Sequence, residues 1–190
     1  MGLSGAPAAV VLGSLAAPED PALDELLGGV AVAALRRELV RRACRWAATV
    51  APGLAFEATT PGAALAALTE HEGPVLLVAP DVPALDARLA EAALADLAGG
   101  AAMTFGPATD GSFFLVGLPR ADDAMVEAVE GGFDAATARA RAEGSELAML
   151  RSERRLVSPA DARALAADPR APLELSVLLS AGLPVRSRAR

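Results

Sequence analysis

The chain has 190 residues, of which 53% are hydrophobic, so it is long enough to form one domain with a sizeable core. Its net charge is −7 and its 17 basic residues are all arginine, which disfavours generic nucleic-acid binding and excludes lysine chemistry such as a Schiff base or a Gly-Lys phosphate loop. The single cysteine, Cys44, excludes an intrachain disulfide and a cysteine metal cluster. The apolar runs are far shorter than the roughly 20 residues of a membrane helix, so we expect that no segment spans a membrane and that the protein is cytoplasmic.

The first apolar run, residues 8–13, predicts a buried strand that ends at Gly13 and Ser14. Ligands of open α/β sheets bind at such strand ends, so Gly13 and Ser14 are candidate cofactor-binding residues. Residues 14–24 then carry several carboxylates and no basic residue. Because carboxylates repel phosphates, this segment argues against a conventional nucleotide loop.

Residues 30–50 have the periodicity of a helix with one apolar face, and Arg37, Arg41 and Arg45 recur every four residues on another face. We interpret this arginine row as a solvated helix face, and the alternative is a site for an acidic partner or a phosphate. Cys44 is interpreted as a packed thiol rather than a nucleophile, because no second catalytic group lies near it in the sequence.

Two further segments precede the centre of the chain: residues 54–58 predict a second strand, and residues 61–70 predict a short helix. The only histidine, His71, follows that helix. An exposed position at a helix end accounts for it better than catalysis does, so we leave His71 out of the candidate site.

A continuous apolar run, residues 75–79, predicts a strand in the middle of a parallel sheet, and Asp81 follows at its carboxyl end. Pro80 and Pro83 stiffen the backbone around this aspartate, which suits a carboxylate that binds a divalent cation. The same position also suits a turn residue or a cap of the helix predicted for residues 86–97. The sequence leaves both roles open.

Two more apolar runs, residues 101–105 and 113–117, flank a polar turn that contains Asp110. The connection is shorter than the dozen or so residues of a crossover helix, so we predict that these strands are antiparallel if they share a sheet. The turn holds the carboxylate of Asp110 at a strand end, and we expect any chemistry to lie near it.

The rest of the chain continues the alternation of helix and strand, with helices at residues 121–129, 134–143 and 172–183, a strand at 146–150, and a helix that starts at Ser158 and Pro159. We therefore predict one domain, residues 1–185, built as a three-layer α/β/α sandwich with a mixed, mainly parallel sheet, followed by a disordered tail at residues 186–190. The sequence does not decide whether the last helix covers the core or packs on a second copy in a homodimer.

Residues 79–85 read APDVPAL, and residues 106–117 read GPATDGSFFLVG. In this order the two segments resemble the signatures of the GT-A-like rSAM/selenodomain-associated transferase 1 family, which is related to molybdenum-cofactor guanylyltransferase and phospholactate guanylyltransferase. Members of that family carry Gly-Ser-Asp-x-Pro-x-Leu after a central strand and Gly-Pro-Ala-x-Asp-Gly-Gly-Tyr-x-Leu-Ile-Gly further along. The resemblance covers residues 74–118 most strongly and implies a nucleotide-diphospho-sugar transferase fold.

The same resemblance implies roles for individual residues. Asp81 would help to hold Mg²⁺ or Mn²⁺ bound to nucleotide phosphates. Asp110 would be the catalytic residue, either as a second metal ligand or as a base that orients the acceptor, and Thr109, Gly111 and Ser112 would bind the substrate. The implied partners are a nucleotide or nucleotide sugar and a small-molecule acceptor.

The sequence departs from the family pattern where phosphate and metal would bind. Arg155 and Val157 stand where the family has its second acidic metal position, the acidic residues 14–24 replace a basic loop, and Ser112 with Phe113 replaces Gly-Tyr. Two functions follow. One is a metal-dependent glycosyl- or nucleotidyltransferase that uses a nucleotide-activated donor, and the other is a catalytically degenerate relative that serves as a binding or dimerisation module.

Overall fold

A computed structural model describes residues 5–183, apart from the side chains of residues 124, 125, 128 and 143. Strands and helices alternate along the chain. The strands are β1 (Ala8–Leu12), β2 (Ala55–Ala58), β3 (Val75–Val78), β4 (Met103–Pro107), β5 (Phe113–Leu118) and β6 (Leu147–Met149). The helices are α1 (Ala22–Leu27), α2 (Gly29–Val50), α3 (Pro61–Ala67), α4 (Ala87–Ala98), α5 (Asp123–Glu130), α6 (Gly132–Glu143), α7 (Pro159–Ala167) and α8 (Leu173–Gly182).

Within residues 5–183 the strands form one six-stranded sheet in the order β2-β1-β3-β5-β4-β6. Every neighbouring pair is parallel except β3–β5 and β4–β5, so β5 alone runs in the opposite direction. The predicted mixed, mainly parallel sheet and the predicted antiparallel pair are both confirmed. These strand directions bring the loops after β1, β3, β4 and β6 and the start of β5 to one end of the sheet. We call it the carboxyl end of the sheet, and it is where the candidate site lies.

Helices cover both faces of the sheet, which confirms the three-layer α/β/α architecture. On one face Trp46 of α2 and Leu89 of α4 pack against the strands. On the other face Ala64 of α3 and Ala136 of α6 do so. All the side chains of β1 and β3 are buried, as expected for strands that are covered on both faces.

The last helix, α8, packs on the same chain, where Leu175 and Leu179 are buried in a third cluster together with residues of α1, α2 and α7. The homodimer stays a prediction. The predicted disordered tail at residues 186–190, like the domain end at residue 185, lies outside the described residues.

The longest helix, α2, shows the solvated face that its sequence predicts. Arg37, Arg41 and Arg45 are exposed, and the last two form ion pairs with Glu38. Among the helices of residues 5–183, none has both the length and the apolar composition needed to cross a membrane.

The element missed in the sequence is α1, a helix of six residues. It lies between the acidic stretch after β1 and the start of α2, where Pro18, Pro21 and the carboxylates suggested only a loop. The backbone before it turns at Asp20, whose side chain accepts a hydrogen bond of 2.9 Å from the Ala22 amide at the start of the helix.

Candidate functional site

The carboxyl end of the sheet brings together four loops that are far apart in sequence. Ser14 follows β1, Asp81 follows β3, Asp110 lies between β4 and β5, and Arg155 comes after β6. The two aspartates that the sequence singles out therefore lie at the same end of the sheet, and both of them approach the guanidinium of Arg155.

Asp81 and Arg155 form a buried ion pair. Nη1 of Arg155 donates to Oδ1 and Oδ2 of Asp81 at 2.9 and 2.8 Å, and the two residues are only 3% (Arg155) and 9% (Asp81) exposed. The backbone amide of Ala17 donates to Oδ2 of the same carboxylate at 2.8 Å. Both oxygens of Asp81 are thus engaged, and they tie the loop after β1 to the loop after β3.

The rest of the Arg155 guanidinium also contacts oxygen atoms. Nη1 donates to the carbonyl of Leu15 at 2.8 Å, and Nη2 donates to the carbonyl of Phe113. Nε lies 3.8 Å from Oδ2 of Asp110 and has no hydrogen-bond partner among the residues that the structure describes. Arg155 therefore joins segments that follow β1, β3 and β4 with the start of β5.

Asp110 is held by a tight turn. Gly111 has φ of +88°, a conformation that favours glycine, and its amide donates to the carbonyl of Ala108 at 3.0 Å. The backbone amide of Ser112 donates to Oδ1 of Asp110 at 2.9 Å, and the Ser112 hydroxyl donates to the same oxygen. In this arrangement Oδ2 of Asp110 faces Arg155, while the Asp110 side chain remains 40% exposed to solvent.

The surroundings of Asp110 shift its pKa. Burial by itself raises the pKa, but the hydrogen bonds from Ser112 and the charge of Arg155 outweigh it, so the pKa of Asp110 lies below its ordinary value. Asp110 is consequently an anion at neutral pH and a weak general base, better suited to accept hydrogen bonds than to remove a proton.

A cavity of about 390 Å³ adjoins this arrangement, between the loop after β1 and the turn before β5. Ser14, Asp110, Ser112 and Arg155 contribute its polar lining. Three of the residues predicted for the site thus share one hollow. Asp81, Gly13, Thr109 and Gly111 do not line it.

Two of the predicted residues have structural roles instead. The backbone amide of Thr109 donates to the carbonyl of Glu153 at 3.0 Å, which joins the turn to the segment after β6. The carbonyl of Gly13 accepts from the amide of Ala16 at 3.0 Å and so closes the short 3-10 turn Gly13–Leu15. Glu19, one of the acids after β1, pairs with Arg36 of α2 and is therefore neutralised.

The residues present do not fit a divalent cation. Mg²⁺ and Mn²⁺ bind through oxygens, and the oxygens that Asp81 would supply already accept from a guanidinium that would repel the ion. Within the described part of the chain, no three His, Cys, Asp or Glu side chains are grouped as a metal site would need. The metal role of Asp81 stays a prediction from the resemblance, without support from the local geometry.

Arg155 is the site residue that sequence reasoning missed. Its sequence signal is a pair of arginines after the last predicted strand, followed at once by the apolar Leu156 and Val157. Arg154 is exposed and pairs with Asp161 at 3.3 Å, while Arg155 points inward. The apolar context of the second arginine is the one feature that could have indicated burial.

Comparisons with known proteins support this fold. Residues 29–132, more than half of the chain, match the sequence model of a family described as "Uncharacterized protein conserved in bacteria (DUF2064)". None of the curated proteins matches the sequence. Among solved structures, the chain is similar to a protein from Desulfovibrio desulfuricans G20 that is assigned as a nucleotide-diphospho-sugar transferase, with 20% identity, a TM-score of 0.66 and 95% of each chain covered. At this identity the likeness shows a shared fold, and it confirms the nucleotide-diphospho-sugar transferase-like architecture.

Proposed function

Because the chain belongs to the DUF2064 family of bacterial proteins and has a nucleotide-diphospho-sugar transferase-like fold, we propose that it binds a nucleotide sugar without a divalent cation. The nucleoside or sugar part of that ligand occupies the cavity lined by Ser14, Asp110, Ser112 and Arg155. Of the two functions that the sequence suggests, this proposal corresponds to the binding module. The protein would then be a relative of transferases that keeps their fold and a ligand cavity.

The observation that carries this proposal is the buried pair of Arg155 and Asp81. Among residues 5–183, Arg155 is the one cation that lines the cavity, and it already has a carboxylate partner at 2.8 Å, while Asp110 adds a further negative charge. Two like charges about 4 Å apart repel by about 1 kcal/mol in water and about 4 kcal/mol near a protein surface. A diphosphate group beside Asp110 would meet that repulsion, whereas the hydroxyls of a ribose or a hexose would donate hydrogen bonds to the same carboxylate.

The second candidate is metal-dependent transfer of a glycosyl or nucleotidyl group by a member of the rSAM/selenodomain-associated transferase 1 family. The convergence of Asp81 and Asp110 at the carboxyl end of the sheet favours it, together with the APDVPAL and GPATDGSFFLVG segments. This function requires Arg155 to release Asp81 when the metal and the nucleotide bind.

Calorimetric titration tests the two candidates on the full chain. UDP-glucose, GDP-mannose, uridine and glucose are each titrated with and without Mn²⁺. We expect binding that Mn²⁺ does not change and that weakens about tenfold or more in Asp110→Asn, since that variant loses a charged hydrogen-bond acceptor. Asp24→Asn, on the exposed surface of α1, is the matched control and should bind as the unchanged protein does.

The outcomes separate the candidates. Binding of a nucleotide sugar that needs Mn²⁺ and is lost in Asp81→Asn would support the transferase and contradict cation-independent binding. If none of the four compounds releases heat or raises the melting temperature, cation-independent binding at this cavity is wrong.

A further inference from the structure

One guanidinium gathers a shell of oxygen atoms at the carboxyl end of the sheet. Arg155 donates to both oxygens of Asp81 at 2.9 and 2.8 Å, to the carbonyl of Leu15 at 2.8 Å and to the carbonyl of Phe113. Oδ2 of Asp110 lies 3.8 Å from Nε. We call these five oxygens the oxygen shell. Within residues 5–183, every hydrogen bond that the Arg155 side chain donates has an oxygen of this shell as its acceptor.

The oxygen shell has the composition of a divalent-cation site. Two carboxylates and two backbone carbonyls are the hard donors that Ca²⁺, Mn²⁺ and Mg²⁺ prefer, and they come from loops that tertiary structure holds in place. The two carboxylates carry a formal charge of −2. The Asp81 carboxylate is buried in this shell, and a carboxylate that is removed from water without a partner is costly, so a positive charge beside it stabilises the arrangement.

The positive charge here belongs to the chain itself. Arginine keeps its proton at every pH that a protein tolerates, so the cation in the shell is permanent. The guanidinium is also covalently attached to the chain, so it occupies the shell at any metal concentration. A bound metal ion would occupy the shell only at concentrations near or above its Kd. With a guanidinium of +1 against two carboxylates of −1 each, the arrangement keeps a charge of −1. The exposed side of Asp110 presents that charge to the cavity.

From this geometry we propose that Arg155 is an internal cation that takes the place of a divalent metal ion in the oxygen shell. The protein needs no metal because the shell is filled, and removal of the Arg155 side chain turns the shell into a site for Mn²⁺ or Ca²⁺. The contacts of Arg155 give it this role whether a nucleotide sugar, a nucleoside or a sugar binds in the adjoining cavity, and only a ligand that binds together with a metal ion conflicts with it.

The test compares the melting temperature of the full chain in EDTA, Mn²⁺ and Ca²⁺, with calorimetric titration of each metal alone. The unchanged protein should show the same melting temperature in all three and no heat of metal binding. Arg155→Ala should melt lower in EDTA, and a metal at about 100 times its Kd should raise that temperature by about 5–10 °C. The double variant Arg155→Ala with Asp81→Asn should lose this response.

Arg154→Ala is the matched control, because Arg154 is the exposed neighbour that pairs with Asp161 outside the oxygen shell. It should gain no response to metal. If Arg155→Ala does not fold in EDTA, recovery of the folded chain in Mn²⁺ still supports the proposal. Arg155→Gln, which keeps most of the side-chain volume without the charge, then provides the titration.

Two results would overturn the proposal. One is stabilisation of the unchanged protein by Mn²⁺ that disappears in Asp81→Asn, because Mn²⁺ would then bind to Asp81 in place of the Arg155 guanidinium. The other is the absence of any response to metal in both Arg155→Ala and Arg155→Gln, since the oxygens would then not form a cation site when the guanidinium is gone.

Discussion

The pKa values of Asp110 and Cys44 shift in opposite directions, because different groups surround the two side chains. Burial raises the pKa of both groups. At Asp110 the donors of Ser112 and the charge of Arg155 reverse the effect and lower the pKa. At Cys44 a hydrogen bond to Glu57 and the negative charge of Glu57 add to burial, so the pKa rises to about 11. The thiol packs against the core, as the sequence predicts, and its raised pKa predicts little thiolate at neutral pH.

Alkylation of Cys44 tests this assignment. With a pKa of about 11, the thiolate fraction at pH 8 is roughly 200-fold below that of a free thiol, so iodoacetamide should react roughly 200-fold more slowly in the folded than in the urea-unfolded chain. The rate should keep rising as the pH approaches 11. Because the folded state favours the protonated thiol, stability should fall as the pH rises above the pKa of the unfolded thiol, about 8.5.

Glu57→Gln should increase the alkylation rate, because it removes the negative charge that opposes the thiolate. Glu70→Gln replaces an exposed glutamate and is the control that should leave the rate unchanged. A rate in the folded chain that levels off near pH 8.5 would contradict the raised pKa.

At the scale of elements, the antiparallel pair β4–β5 positions the turn that carries Asp110. The two strands pack so closely that glycine is required at two positions. A methyl group on Gly117 would lie 2.5 Å from Cγ2 of Thr104, and one on Gly106 would lie 2.8 Å from the ring of Phe114. Thr104 and Gly117 face each other in the register of the pair, so the size of one residue limits the size of the other.

Gly117→Ala is expected to lower the free energy of unfolding by about 1–3 kcal/mol, because the added methyl group overpacks a buried contact. Thr104→Ser removes the Cγ2 atom that the methyl group would meet. The double variant should therefore lose less stability than the sum of the two single variants. Urea denaturation followed by circular dichroism gives the three free energies.

Gly62→Ala provides the control, since it lies in α3 and a methyl group there would meet nothing within 4 Å. It should be neutral or stabilise the chain by up to about 1 kcal/mol through helix propensity. Strictly additive effects of Gly117→Ala and Thr104→Ser would show that these two residues do not limit each other.

At the scale of the molecule, the three-layer sandwich carries an additional helical cluster on the outside of α2. In it α1, α7 and α8 contribute Leu23, Ala162 and Leu175, each with at most 1% of its surface exposed. α7 begins with a reciprocal cap between Ser158 and Asp161, which starts the helix directly after the segment that holds Arg155. The C-terminal helices are thus part of the support for the loop that fills the oxygen shell.

The contribution of α8 can be measured with two leucines on the same helix. Leu175→Ala should lower the free energy of unfolding by about 2–5 kcal/mol, because it leaves a cavity in the buried cluster. Leu173, which is 75% exposed, is the matched control, and Leu173→Ala should change the free energy by at most about 0.5 kcal/mol. Equal losses in both variants would mean that the Leu173 side chain is covered as well, as packing of α8 on a second copy would do.

Much of the fold follows from the sequence alone, because the signals involved are local. Hydrophobic period and turn chemistry predict all six strands, and the shortness of the turn around Asp110 predicts the antiparallel pairing of β4 and β5. Asp81 and Asp110 both follow strands that run in the same direction, so their positions at the same end of the sheet could also be predicted from the sequence.

Tertiary structure alone decided what these two aspartates face. Arg155 lies 74 residues from Asp81, and their pairing depends on the strand order that inserts β5 between β3 and β4 and adds β6 beside β4. No local window of the sequence carries that order. Whether a carboxylate at a strand end is a metal ligand or the partner of an arginine is therefore determined by packing between distant segments, because the side chain that neutralises it comes from another part of the chain.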